Sequence, residues 1–412
     1  MPLIRLAQLF AAAGHTLYGV GGMVRNPLLG LPVTDNDVTS SMTPGEVMAM
    51  CRDKGIKYLD IGAAFGMVEL HYMGGVFQHT TFRRDTYPTG GGHRPQTVSY
   101  SGDINEDAFR RDFTVNAIYK NILTGRITDP TGGMQDLKKR LLRATSKDPA
   151  VIMGDDALRI MRMARFASEL GFEAERGTLE AARACAAGLA DISPERIREE
   201  LDRILLSDAK YGIPGGPYRG LELLDNLEVI DVILPELAKG RGVAQKPQYH
   251  KYDVLRHCFH AVDCIEPSLT LRLAALLHDV GKPGCCTVDR EGVGHFYGHA
   301  AAGAELADAC LRRLRLDWVL YALLLPTLVY FVIFRHTGRY GAYTQPHVRP
   351  SNRGKGEYHT AMASGDGYRA LAPAHSSPPG GRSRQRKDRG AGGVRGQVGA
   401  HTGKHDSSGY AL

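Results

Sequence analysis

The spacing of apolar residues changes character along the chain. Up to about residue 140, short runs alternate between the two-residue period of strands and the 3.6-residue period of helices, an α+β pattern. Residues 4–13 read as a helix, and HTLYGV as a strand ending at Gly21-Gly22. VRNPLLG gives a brief helical turn, and DNDVTS returns as a strand. TPGEVMAMCRDKG carries a full set of helix signals: Thr43 as N-cap, Pro44 at the first position, Glu46 at the third and Gly55 as the stop. IKYLDIG is strand-like, and VELHYMGGVFQHTTF predicts two strands turning at Gly74-Gly75. From about residue 155 the period is helical. DDALRIMRMARFASELGF predicts one amphipathic helix stopped by Gly171, followed by TLEAARACAAGLADI, by SPERIREELDRILLS with Ser193 as N-cap and Pro194 inside it, and by LELLDNLEVIDVILPEL. A third segment, about 245–316, is helical and rich in histidine.

Beyond about residue 317 the pattern breaks. WVLYALLLPTLVYFVIF is apolar for 17 residues with Pro326 inside it. A bilayer needs about 20 uninterrupted residues, so a buried helix is the better expectation and no membrane is involved. From about 338 onward the chain is rich in Gly, Arg, Ser, His and Pro with no period, which predicts disorder.

Composition narrows this only a little. A length of 412 residues allows two to four domains. A net charge of +7 favours an anionic partner without requiring one. The seven cysteines show no CxxC and no disulfide rhythm, which fits a reducing, cytoplasmic compartment. MPLIRLAQLFAAAGH runs straight into a strand and a glycine turn, so it reads as a first helix rather than a signal peptide.

Three clusters carry candidate chemistry. Asp35 and Asp37, two apart on a predicted strand, share one face. Like charges held that close make sense with a divalent cation between them, and oxygen-only ligands suit Mg2+. The Gly21-Gly22 turn upstream lets backbone N–H groups approach an anion, and Arg25 adds a fork of donors for phosphate. A metal beside a phosphate cradle is the equipment of phosphoryl or nucleotidyl transfer. In RRDFTVNA, Arg111 precedes Asp112, and Asn116 lies one helical turn on, which suits a triphosphate and ribose hydroxyls; a local ion pair at a helix start would serve as well. In DDALRIMRMAR, Asp156 and Arg159 are three apart. An acceptor beside a donor matches the exocyclic amine and ring nitrogen shared by cytosine and adenine and mismatches guanine and uracil. Spacing alone fits a surface ion pair better.

Together, VGGMVRN, VTDNDVTSSMTPGEVM, TTFRRD, RRDFTVNAIYK, ITDPTGGMQDLKKRLLRA, DDALRIMRMARFASELGF and SPERIREEL resemble the class II tRNA nucleotidyltransferase and bacterial poly(A) polymerase superfamily, over about residues 15–205. The resemblance implies a polymerase-β-like nucleotidyltransferase head (1–145), an all-helical neck and body for nucleotide base and RNA (146–240), and transfer of CMP and AMP from CTP and ATP to a tRNA 3′ end with release of pyrophosphate. It implies Asp35 and Asp37 as Mg2+ ligands, Gly21, Gly22, Arg25 and Arg111 at the triphosphate, Asp112 and Asn116 at the ribose, and Asp156 and Arg159 at the base with Arg162 and Arg165 nearby. Asn26 and Asp155 depart from the family's usual Asp and Glu. FGMVELHY is closer to the corresponding strand of CCA-adding enzymes than to the basic strand of poly(A) polymerases, so poly(A) synthesis is the alternative.

QYHKYDVLRHCFHAVD, LLHDVGKP and HFYGHAAAGAELA resemble the HD phosphohydrolase domain, which implies His257, His278 and Asp279 as ligands of a transition metal, with His295 and His299 as further candidates. The family's last aspartate has no counterpart in LVYFVIFRHTG, which offers His336 instead. The expectation is a partial HD domain (241–317), then a divergent apolar stretch and a Gly/Arg-rich tail (318–412) that reads like a shift of frame. A relic that folds without turnover is a third reading.

Overall fold

The computed structural model describes residues 1–87, 95–245, 251–290 and 294–316. The apolar stretch after 317, the Gly/Arg-rich tail and His336 lie outside the described residues. The N-terminal part is built on a seven-stranded sheet of order β3-β4-β5-β2-β1-β8-β9. Its strands are β1 (Tyr18–Gly19), β2 (Asp37–Ser40), β3 (Lys57–Gly62), β4 (Met67–Tyr72), β5 (Gly75–Thr81), β8 (Tyr119–Asn121) and β9 (Ile127–Thr128); β6 (Arg83–Thr86) and β7 (Thr97–Tyr100) form a separate hairpin. Only β2 and β5 run parallel within the large sheet; the other neighbours are antiparallel.

The helices are α1 (Pro2–Ala12), α2 (Gly22–Leu28), α3 (Pro44–Asp53), α4 (Ile104–Phe109), α5 (Gly133–Lys139), α6 (Pro149–Asp155), α7 (Leu158–Leu170), α8 (Arg176–Ala184), α9 (Pro194–Leu205), α10 (Ser207–Tyr211), α11 (Gly216–Asn226), α12 (Val229–Ile233), α13 (Pro235–Ala238), α14 (Val254–Cys264), α15 (Leu269–Leu277) and α16 (His299–Arg313). No helix among the described residues is long and apolar enough to cross a membrane. No disulfide joins the cysteines.

Local signals act as their chemistry dictates. Thr43 and Glu46 form a reciprocal capping box: Glu46 N–H donates to Thr43 Oγ1 (3.4 Å), and Thr43 N–H donates to Glu46 Oε2 (2.8 Å). Gly171 ends α7 in the left-handed conformation. The β4–β5 hairpin turns one residue earlier than the sequence predicts, on Met73 and Gly74, both at positive φ. The register pairs Tyr72 with Gly75, so the turn has two residues, and left-handed backbone at both is the type I′ form that matches the twist of the strands. TLEAARACAAGLADI yields α8 followed by a 3-10 segment, Ala186–Asp191, rather than one helix.

Two large cores result. Leu6, Phe10, Val47 and Cys51 of α1 and α3 pack on the sheet through Val38, Val68 and Leu70. The second core runs from Phe113 through α7, α9, α11 and α12 into α14, α15 and α16, ending at Leu314. The histidine-rich segment therefore shares one hydrophobic interior with the helices before it. Gly220 lets α11 cross α7 closely; a Cβ there would fall on Ser168 Oγ.

Candidate active site at the glycine turn

β1 ends one residue before the turn that opens α2. Gly21 there stands at φ 62° and ψ −133°, backbone that glycine adopts at no steric cost. The turn faces Asp37: its Oδ2 lies 3.5 Å from where a Cβ on Gly21 would stand. Asp35 and Asp37 do not both sit on a strand, as the pattern predicts. Ladder pairing begins only where the Asn36 carbonyl accepts from Gln78 N–H (3.0 Å) and the Asp37 carbonyl from Val20 N–H (3.1 Å). Asp35 therefore lies in the preceding loop, exposed, accepting from Thr34 Oγ1 (3.0 Å). It also lines a cleft of about 420 Å3 with Glu169, Arg203 and Lys210.

The two carboxylates still act on each other. Burial, and then the charge of Asp35, push the Asp37 carboxyl above its ordinary range, opposed by Arg111, Arg162 and Arg25. A part-buried carboxylate that resists ionisation, next to a second one, is a hard oxygen-only donor set. That chemistry fits a divalent cation such as Mg2+.

Arg25, on α2, is buried. It donates to the Asn116 Oδ1 (2.5 Å) and, through Nε and Nη2, to the Asn26 Oδ1 (3.1 and 2.9 Å). These two partners are amides, and the Tyr211 hydroxyl also lies against the guanidinium. Burial pushes its pKa below the ordinary value, opposed by Tyr211 and by the carboxylates of Glu169 and Asp112. Asn26 explains its own departure from the family's Asp: its Nδ2 donates to the Pro32 carbonyl (3.0 Å) and to Tyr211 Oη (2.9 Å), and a carboxylate has no N–H to give.

Asp112 and Asn116 meet, although not on an α-helix. The chain bends after Asp112 and makes one 3-10 turn, Thr114–Asn116, which returns Asn116 Nδ2 to Asp112 Oδ1 (3.1 Å). Oδ1 also accepts from Phe113 N–H (2.7 Å), and Oδ2 accepts from Arg162 Nε and Nη2 (2.9 and 2.6 Å). Burial opposes ionisation, yet Arg162 and these donors win and hold the carboxyl far below its ordinary range. Arg111 lies near Asp37 with its fork on Asp107 Oδ2 (Nε 3.0 Å, Nη2 2.8 Å) and Tyr119 Oη (2.9 Å). Arg110 takes the other oxygen of Asp107 (2.6 Å). Burial would raise Asp107, but the two guanidinium groups bring it down to about 2.

Asp156 and Arg159 are not neighbours on a helix face, contrary to the spacing argument. Asp156 is extended, at φ −146° and ψ 100°, in the break between α6 and α7. Its Oδ1 accepts from Leu158 N–H (3.1 Å), the first residue of α7, and its Oδ2 meets Arg196 (3.2 Å). Competition of that side chain for the backbone interrupts the helix. Arg159 is buried and donates to the carbonyls of Ile152 (2.9 Å) and Arg110 (3.0 Å), with Tyr87 beside its guanidinium at 6.0 Å. Arg165 pairs with Glu200 (2.6 Å) and lies 3.7 Å from Glu169.

Asp107, Tyr119, Glu200 and Phe166 were not singled out by the sequence. Asp107 carries a local signal, the i,i+4 spacing to Arg111; Glu200 reaches Arg165 from 35 residues away and carries none.

The second predicted centre lies elsewhere. Ligand atoms of His257, His278 and Asp279 all lie within 4.8 Å of one another, the only such group of three among the described residues. Asp279 Oδ2 is 3.0 Å from His278 Nε2 and 3.5 Å from His257 Nε2, and Lys282 Nζ lies 2.7 Å from the same oxygen. His299 Nε2 is 4.0 Å from Asp279 Oδ1. His295 pairs instead with Asp289 (2.8 Å). Two imidazoles and a carboxylate suit a transition metal.

Comparison with known proteins identifies the family. Family models match for the poly A polymerase head domain over residues 17–143, for the probable RNA and SrmB-binding site of polymerase A over 171–240, and for the HD domain over 250–367. The last match runs past residue 317, where the sequence pattern breaks. The A-adding tRNA nucleotidyltransferase of Deinococcus radiodurans is 40% identical over 241 residues, 55% of this chain and 52% of that one. The multifunctional CCA protein of Acidovorax sp. is 34% identical over 318 residues, 73% of this chain and 68% of that one. The chain thus spans about half of the first relative and two thirds of the second. The crystal structure of the Bacillus stearothermophilus CCA-adding enzyme with CTP superposes with a TM-score of 0.52 at 26% identity, covering 81% of each chain. The chain belongs to the tRNA nucleotidyltransferase and poly(A) polymerase family.

Proposed function

We propose that this chain is a template-independent tRNA nucleotidyltransferase that adds CMP and AMP to tRNA 3′ ends from CTP and ATP, releasing pyrophosphate, in the cytoplasm. The observation that carries the reading is Arg25: a buried guanidinium hydrogen-bonded to neutral amides, beside a glycine turn that faces Asp37. A buried positive charge held by neutral amides suits a polyanion.

In this reading Arg25 binds the triphosphate. Asp112, braced by Arg162 and Asn116, accepts from the ribose hydroxyls. Asp156 accepts from the exocyclic amine of cytosine or adenine, and Arg159 donates to the adjacent ring nitrogen. Asp35 and Asp37 would hold Mg2+, which would supply charge neutralisation at the phosphates when bound. The tRNA 3′ hydroxyl bonds to the α-phosphorus, and the bond to pyrophosphate breaks. His257, His278 and Asp279 would hold a separate transition metal.

The test is incubation with tRNA lacking its 3′ CCA, with labelled CTP, ATP or both. Growth by three residues supports the reading, and no incorporation above an Asp35→Ala control refutes it. The 40% identity to an A-adding enzyme favours one second reading, addition of the terminal A alone; growth only on tRNA already ending in CC, with ATP only, would establish it. Long tails on unstructured RNA would make the protein a poly(A) polymerase.

A further inference from the structure

Phe166, on α7, is buried, and three guanidinium groups lie over its ring. Arg165 is 4.3 Å from the ring centroid, Arg25 5.0 Å and Arg162 5.5 Å. Phe113 meets the same ring edge-on at 6.0 Å and 86°. Packing three like charges around one buried side chain is costly unless something answers them. Carboxylates do so for two: Arg162 with Asp112 (2.6 Å) and Arg165 with Glu200 (2.6 Å). Arg25 hydrogen-bonds to the amides of Asn26 and Asn116, and the carboxylates of Glu169 and Asp112 act on its charge without an ion pair among the described residues. The electron-rich ring is the one group all three share, each within the roughly 6 Å range of a cation–π contact.

We propose that Phe166 is a positioning residue for the nucleotide: its ring holds Arg25 and Arg162 in place, the first for the triphosphate and the second as the brace of Asp112. This rests on the nucleotide-binding reading of the site. The chemistry separates it from plain packing. Leucine is of nearly the same volume and equally apolar but has no quadrupole, whereas tyrosine keeps the ring.

The experiment uses the full chain as wild type, F166L and F166Y. Thermal melts by circular dichroism establish folding. Steady-state kinetics on tRNA lacking CCA give KM and kcat for CTP. Arginine side-chain NMR reads the Nε–H groups directly, assigned through Arg25→Lys, Arg162→Lys and Arg165→Lys. In wild type, three arginine resonances carry ring-current shifts. F166L loses them, melts within a few degrees of wild type, and raises KM for CTP by about tenfold with little change in kcat. F166Y keeps the shifts and a KM close to wild type. A wild-type KM in F166L, or equal impairment in F166L and F166Y, overturns the proposal. So does the absence of ring-current shifts in wild type, which is decisive even if F166L fails to fold. If wild type neither binds nor uses CTP, the reading of the site fails; wild-type NMR then still reports whether the ring holds the three arginines.

Discussion

Asp107 offers a test in which the sign and the size both follow from the structure. Its side chain is fully buried and takes Arg110 on one oxygen and Arg111 with the Tyr119 hydroxyl on the other. Its pKa falls from the ordinary 3.8 to about 2. That difference corresponds to about 2 kcal/mol of stability at neutral pH. Because the folded value is the lower one, the contribution is complete above the unfolded value and is lost as the pH falls towards 2. Asp107→Asn also takes the carboxylate from Arg111 and leaves Arg110 only its longer contact with Asp85 (3.5 Å). Breaking a buried pair costs about 3–5 kcal/mol, and here the lower figure applies because both arginines keep some contact with water. Urea unfolding of wild type and variant should show a gap of about 3 kcal/mol at pH 7, narrowing by about 1 kcal/mol near pH 3 as Asp107 protonates in the unfolded chain. Groups unaffected by the substitution cancel in the comparison. A gap below about 0.5 kcal/mol at neutral pH, the scale of an ordinary surface change, would refute the assigned network. A gap that stays constant or widens with acid would refute the pKa argument.

Asp37→Asn should abolish nucleotide incorporation yet raise the melting temperature in EDTA at pH 7, because burial and Asp35 disfavour the Asp37 carboxylate in the fold; a lower melting temperature would contradict this. Gly133→Ala should cost about 3 kcal/mol in urea unfolding, since a Cβ there would fall on the Thr114 backbone carbonyl, which cannot step aside. His278→Ala should remove bound transition metal, measured by elemental analysis after dialysis against excess metal, while nucleotide addition persists; metal retained in the variant would exclude His278 as a ligand.

What the sequence made legible was mostly local. The capping box at Thr43, the stop at Gly171 and the facing of Gly21 and Asp37 depend on residues close in the chain or on one strand pairing. The head-then-helices architecture followed from the change of period. The break at Asp156 was not legible, because DDALRIMRMAR is a helical pattern and only the Asp156 carboxylate, drawn to Leu158 N–H and Arg196, opens it. Asp35 reads as a strand residue because alternation continues past the point where β2 finds partners. The brace of Arg162 on Asp112 spans 50 residues, and no spacing rule reports a contact of that length. The resemblance sets a partial HD domain after the helical body, and the hydrophobic core runs through that boundary, continuous from Phe113 to Leu314.

Arg272 of α15 adds a polar counterpart to that continuity. It is 1% exposed and donates to both oxygens of Asp208 (2.5 and 2.8 Å) and to the carbonyls of Leu205 (2.5 Å) and Ile265 (2.9 Å). A guanidinium can enter an apolar interior only where such acceptors already wait. During synthesis, the chain carrying Asp208 leaves the ribosome well before Arg272 does, so the earlier helices can serve as the mould on which the later ones set. A nascent chain halted between them would present that mould uncovered, as a surface for chaperones.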